Sequence, residues 1–190
     1  MVVSKIGILY RFMSIKGIGS VQTNKLLLSI QDINNLIEIE QKAKDLLDPH
    51  QLSEYEHKEN ILANLNSKYK IEFVSLLDEF YPNELKKCLK QNTPPILSFI
   101  GNLNLLDKKM VGFSGSRNVS EKGLNITKDC VEQLVDQDVA IVSGYAKGVD
   151  FMAHYTALKN NGTTIIILPE GINFFSIKKN LEKFGIGNEY

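Results

Sequence analysis

Two short apolar runs, Met110 to Phe113 and Val139 to Val142, each end in a loop of small residues, and a helical pattern starts straight after each loop. The loops are Ser114 to Arg117 and Ser143 to Gly148. From Ser120 onward Leu124, Thr127, Val131, Leu134 and Val135 recur at helical spacing, as expected of a helix lying on a sheet. Ser120 is placed to cap that helix, because its hydroxyl can accept from a free first-turn N–H. Val149 to Lys159 reads as a second helix, closed by Asn160-Asn-Gly162, residue types that tolerate positive φ. Thr164 to Leu168 is a third apolar, β-branched run. Right-handed crossovers between successive units predict three parallel strands. In such sheets the loops lie at the carboxyl ends of the strands, where backbone N–H groups and helix N-termini face outward and attract phosphate.

The amino-terminal third carries a different pattern. Ile6, Ile8, Leu9 and Phe12 mark one face of a helix over Ser4 to Met13, and a second helix continues through Lys25, Leu26 and Leu27. Between them Lys16-Gly-Ile-Gly-Ser20 predicts a tight hairpin, with Ser20 or Thr23 as the cap of the second helix. Two readings fit it: a glycine turn whose N–H groups contact a nucleic-acid phosphate, with Lys16, Gly17, Gly19 and Lys25 as the contacts, or a helix pair that only packs. Asp32 to Leu47 and Ser53 to Leu65 predict two polar amphipathic helices, interrupted at Asp48-Pro49. Residues 1–66 are therefore expected to form a small all-α domain, and residues 67–190 the α/β domain. The latter opens with strand candidates at Ile71 to Val74 and Ile96 to Ile100, a short helix over Glu84 to Leu89, and an extended Thr93-Pro-Pro95.

Charge alters this picture locally rather than overall. The net charge is zero, which argues against coating nucleic acid by bulk charge. Up to Gln31, however, Lys5, Arg11, Lys16 and Lys25 face no acidic residue, whereas from Asp32 to Asn60 eight acids stand against three lysines. Any anion contact in this region is thus expected on the first two helices. With 43% hydrophobic and 23% charged residues in a chain of 190, the composition is that of a folded globular protein. No apolar run has membrane-spanning length, and the amino terminus lacks a secretory-signal pattern, so a cytoplasmic location is expected. Cys88 and Cys130 lack the spacing of a disulfide framework or a zinc site, and are expected to be reduced packing residues; no metal or cofactor site is expected.

Tyr81-Pro82, Pro94-Pro95-Ile-Leu, Gly101-Asn-Leu, Gly115-Ser-Arg117, Ser143-Gly-Tyr-Ala-Lys-Gly-Val-Asp150, Ala153-His154, Ala157-Leu158 and Gly162-Thr-Thr-Ile165 occur in this order. Together they resemble the DNA-processing protein A family, also called Smf, over residues from about 5 to 181. The resemblance implies a Rossmann-like α/β domain with a largely parallel sheet, preceded by a small helix-hairpin-helix (SAM-like) domain. It also implies a non-enzymatic protein that binds and protects single-stranded DNA, loads the RecA recombinase onto it and serves natural transformation. Carried over residue by residue, it assigns the DNA phosphate contact to Gly115, Ser116, Arg117, Ser143, Gly144, Lys147 and Gly148. A guanidinium at Arg117 suits phosphate oxygens in geometry and keeps its charge. Without the resemblance, Arg117 and Lys147 read equally as surface charges beside chain reversals.

The pattern departs from the family at Gly171-Ile-Asn173 and Ser176-Ile177, where a Gly-Leu-Asp turn and Tyr-Pro are usual. The family also continues past the position of Tyr190 with segments that complete the sheet, the DNA pocket and a homodimer surface. The expectation is a fragment, a truncated product or half of a split protein, with a bare sheet edge and without the dimer region. Asp150 and His154 are four apart on a helix and invite an acid–base reading; a helix-capping carboxylate and a hydrogen-bonded packing histidine are the simpler one. Gly112-Phe-Ser-Gly-Ser116 lacks the final glycine of a nucleophile elbow, and the third glycine of a dinucleotide fingerprint is missing. His50 and His57 are expected on the surface. The alternative functions are a nucleotide-hydrolysing enzyme resembling the LOG phosphoribohydrolases, for which only Pro169-Glu-Gly171 stands in place of a longer glycine motif, or a non-functional remnant.

Overall fold

The computed structural model describes residues 4–58, 69–168, 171–172 and 175–185. The chain divides into two compact units, Met1–Phe99 and Ile100–Tyr190. The boundary expected at residue 66 and the end of the helix expected through Leu65 lie outside the described residues, as do Pro169, Glu170 and Asn173.

In the first unit, α1 (Lys5–Met13), α2 (Ser20–Ser29), α3 (Leu36–Asp45) and α4 (Pro49–His57) surround an apolar cluster. Ile8, Leu9 and Phe12 supply one side of it, Leu26 and Leu27 a second, and Ile39, Ala43 and Tyr55 a third. The acidic helix is shorter than its polar pattern suggests, because Asn35 caps it by accepting from the Glu38 N–H. Asp48 caps α4 through the His50 and Gln51 N–H groups, with Pro49 at the first helical position, where its missing donor costs nothing. The cap of α2 is Gly19 rather than Ser20 or Thr23. The Thr23 hydroxyl instead donates back to the Gly19 carbonyl at 3.0 Å.

An antiparallel pair completes this unit: β1 (Glu72–Ser75) against β2 (Ile96–Phe99), with Val74 opposite Leu97. Ile96 belongs to the helical cluster, Phe73 packs on it, and the Phe73 ring meets Tyr10 of α1 edge-on at 5.7 Å. The link between the strands carries α5 (Asn83–Leu89) and is fixed by Tyr81, a buried residue whose hydroxyl donates to the Pro94 carbonyl at 2.6 Å. Burial pushes that phenol up to about 12. Asn24 of α2 donates to the Thr93 carbonyl at 2.8 Å and the Gln91 carbonyl at 3.2 Å, tying the helices to the same link.

Charge that is segregated along the sequence is paired in space. Lys5 reaches Asp78 at 2.5 Å, and Arg11 reaches Glu40 at 2.6 Å while also donating to the Tyr55 hydroxyl at 2.9 Å. Two of the four amino-terminal cations, both on α1, are therefore committed internally, while Lys16 and Lys25 stay exposed.

The second unit is an α/β layer of Rossmann-like topology. β3 (Met110–Phe113), β4 (Ala140–Ser143) and β5 (Thr164–Ile166) form a parallel sheet in that order, with Met110 beside Ala140 and Ile141 beside Thr164. α6 (Glu121–Val135) and α7 (Val149–Lys159) pack on each other and on β4 around Val131, Ile141, Ala153 and Ala157. Ser120 caps α6 as its position predicts, accepting from the Gly123 N–H. After α7 the positive φ falls on Asn161, at +56°, and not on Gly162. Gly162 is held for space: a Cβ there would lie 2.5 Å from a methyl of Val135. A short α8 (Lys179–Glu182) follows. Cys88 and Cys130 are both exposed, so neither is a packing residue. Among the described residues no helix is long and apolar enough to cross a membrane.

Candidate functional site

Both small-residue loops emerge at the carboxyl end of the parallel sheet, and their backbones touch. Gly148 adopts φ +81° and presses against the first loop, so that a Cβ on it would stand 2.1 Å from the Ser116 carbonyl oxygen and 2.9 Å from that of Arg117. The Val149 N–H donates to the same Ser116 carbonyl at 3.3 Å. Gly115 is equally confined, since its Cβ would meet a Val149 methyl at 2.6 Å. Gly144 faces the Asp150 carboxylate, with 2.8 Å left where a Cβ would go. All three expected loop glycines thus permit one compact junction, and Gly148 also supplies its left-handed backbone.

Side chains around the junction divide into two sets. Ser116 and Arg117 are exposed on the first loop and Lys147 on the second. The Ser116 hydroxyl accepts from the Asn118 N–H at 3.1 Å, which turns the chain toward α6. Among the described residues neither Arg117 nor Lys147 has an ion-pair partner. Ser143 lies inside, 4% exposed, with its hydroxyl donating to the Phe113 carbonyl at 2.7 Å, so this side chain joins β4 to β3. An open groove of about 720 Å³ is lined by Arg117, Asn118, Ser120 and Gly148 together with the apolar Leu124, Phe151 and Met152.

Asp150 and His154 both work on the second loop. The Asp150 carboxylate accepts from the Ala146 N–H at 3.4 Å; the cap position of α7 itself belongs to Gly148. His154 is fully buried, with Nε2 2.6 Å from the Gly144 carbonyl and Nδ1 2.7 Å from the Thr164 hydroxyl. Burial pushes its pKa below the ordinary value; the Gly144 carbonyl and Asp150 oppose that shift, and Lys178 adds to it. The ring therefore fastens the loop to β5.

Lys178 has no counterpart in the motifs. Its ammonium sits 4.0 Å from the centre of the Tyr145 ring and donates to the carbonyls of Tyr145 and Ala146, while its own N–H donates to the Tyr145 hydroxyl at 2.7 Å. Burial pushes its pKa down, Asp150 pulls it back, and Lys147 adds to the lowering. Nothing at sequence level marks this lysine, because its contacts lie more than 30 residues back along the chain.

Of the hairpin residues, Lys16, Gly17, Gly19 and Lys25 are all exposed in the first unit, and Gly17 takes φ +87°. The Lys16 carbonyl accepts from Gln51 at 3.2 Å, and the Gly19 N–H is taken by the Gln22 side chain at 3.2 Å. Gly19 thus offers no free N–H.

The chain resembles known proteins over most of its length. It is 36% identical over 131 residues to DNA processing protein DprA of Streptococcus pneumoniae, an alignment covering 67% of this chain and 45% of that protein. It is 36% identical over 95 residues to Protein Smf of Escherichia coli, covering 50% of this chain and 25% of the other. The X-ray structure of the Streptococcus pneumoniae DprA superposes with a TM-score of 0.71 at 27% identity, across 97% of this chain and 64% of that one. The chain therefore spans less than two thirds of these relatives. The family described as DNA recombination-mediator protein A matches residues 72–185, which include the antiparallel pair, both loops and all three parallel strands. On that match, the chain belongs to the DNA recombination-mediator protein A family.

Proposed function

We propose that this chain binds single-stranded DNA through its two joined loops and acts in DNA processing without catalysing a reaction. The junction of Gly148 with Ser116 carries the reading. It places the exposed cation of one loop and that of the other on a shared backbone platform, next to the N-terminus of α7. Such a platform suits a chain of phosphates, whatever the sequence they join. A binding role, not an acid–base one, is favoured by the internal commitments of Asp150 and His154. The family supports the same direction, since its members are named for DNA processing and recombination mediation.

The finer reading is a cytoplasmic protein that takes up incoming single strands during transformation and passes them to RecA. Lys16 and Lys25 flank the glycine hairpin and supply an auxiliary helix-hairpin-helix contact.

A salt titration tests the central reading. Arg117→Ala weakens binding to single strands of any sequence and flattens the dependence of log K on log salt by about 0.7. An unchanged slope would exclude Arg117 as a phosphate contact. Incubation with nucleoside monophosphates tests the absence of catalysis, and release of free base would overturn it.

A further inference from the structure

We infer that α4 masks the glycine hairpin of the helical unit, with Glu54 occupying the place of a nucleic-acid phosphate; the inference rests on the reading of that hairpin as an auxiliary phosphate contact. Such a contact needs backbone N–H groups free to face an anion. Here the chain itself engages them. The Gly19 N–H donates to the Gln22 side chain at 3.2 Å, and the Ile18 N–H to the Ile15 carbonyl at 3.0 Å. The Glu54 carboxylate faces the Lys16 N–H as its acceptor, so an anion already lies against the turn.

Glu54 does not act alone. Gln51 and Glu54 of α4, with Lys58 just past its end, recur at helical spacing and face the same turn. Gln51 donates to the Lys16 carbonyl at 3.2 Å. Lys58 donates to the Ser14 carbonyl at 2.5 Å and to Glu54 at 2.6 Å, which holds the carboxylate in place. Three side chains thus cover the backbone polar groups of residues 14–16. These contacts are wet: Glu54 and Lys58 line an open cleft with His50, Ser53 and His57. Exposed ion pairs of this kind are weak and give way to a competing charge. Tyr55 of the same helix is fully buried in the apolar cluster and keeps α4 seated when they open. A phosphate reaches the turn by displacing the Glu54 carboxylate, an exchange of one anion for another.

The test titrates oligothymidylate across salt by anisotropy, using the full chain. Glu54→Gln removes the charge with little change of shape. Glu56→Gln removes an equal charge from the same helix, at a side chain 54% exposed whose partner is Lys44, and so controls for net charge. Glu54→Gln is expected to tighten binding and to steepen the dependence of log K on log salt by about 0.7 relative to Glu56→Gln. It is also expected to speed hydrogen exchange at the Lys16 amide. Adding Lys16→Ala is expected to cancel the gain in affinity. Equal slopes for the two glutamine variants, or an unchanged Lys16 exchange rate, overturn the mask; if Lys16→Ala still weakens the otherwise wild-type chain, the auxiliary contact stands without it. Lys16→Ala without effect in either background overturns both.

Discussion

Gly148 and Ser116 stand 32 positions apart in the chain, yet a single added carbon on the first would fall 2.1 Å from the carbonyl oxygen of the second. The two loops are one object at this point. Its shape depends on a glycine at φ +81° that no side chain can replace without moving the first loop.

Gly148→Ala is the sharpest test of that junction. The added methyl group must separate the loops, and the left-handed backbone adds strain of about 1–3 kcal/mol. The variant is expected to unfold at lower urea concentration and to bind single strands more weakly than its remaining folded fraction explains. Wild-type affinity in this variant would show that the loops act separately.

Ser143 and Lys147 share the second loop and predict opposite outcomes. Removing the buried Ser143 hydroxyl leaves the Phe113 carbonyl without that donor, so Ser143→Ala costs about 1 kcal/mol of stability and leaves the salt slope intact. Lys147→Ala does the reverse, flattening the slope by about 0.7 at unchanged stability. Chemical denaturation and salt titration on both variants separate the two roles.

Arg11 tests the helical unit. Its guanidinium is shared by Glu40 and the Tyr55 hydroxyl and lies 4.1 Å from the centre of the buried Tyr55 ring. Burial, and after it the Glu40 charge, raises the Tyr55 pKa. Arg11→Ala strands an acid beside this phenol and is expected to destabilise the chain by about 2 kcal/mol. Arg11→Ala paired with Glu40→Gln should recover part of that loss, which a denaturation cycle would measure.

His154 gives stability a pH dependence of known sign. Its pKa in the fold lies below the ordinary 6.5, so the unfolded chain takes up a proton more readily than the folded one. The contribution of neutral His154 is complete above about pH 6.5 and is lost as pH falls from there through the folded value. Asp150 opposes protonation loss and Lys178 favours it, so both set the width of the window. Urea midpoints at pH 5 and pH 7.5 should differ in the wild type and differ less in His154→Gln.

The parallel strands and the Ser120 cap were legible because each rests on local pattern: apolar period, turn chemistry, one capping hydroxyl. The loop glycines were visible as small residues, but not what each one avoids. Gly162 shows the difference, since Asn161 takes the positive φ and the glycine makes room for Val135. What stayed hidden is long-range. Lys5 meets Asp78 across 73 positions, so a basic stretch in the sequence is partly neutral in the fold. Lys178 reaches back to Tyr145, and no periodicity records such a contact. Phe151 reads as one more apolar helix position until the groove beside it is seen.

The antiparallel pair also decides where this chain can be divided. Because Ile96 and Phe73 complete the helical cluster, a break near residue 66 would strip the amino-terminal helices of part of their own interior. A break between Phe99 and exposed Gly101 would leave each apolar cluster whole. Limited proteolysis should find that junction productive, and gene fusions or swaps between relatives should be cut there.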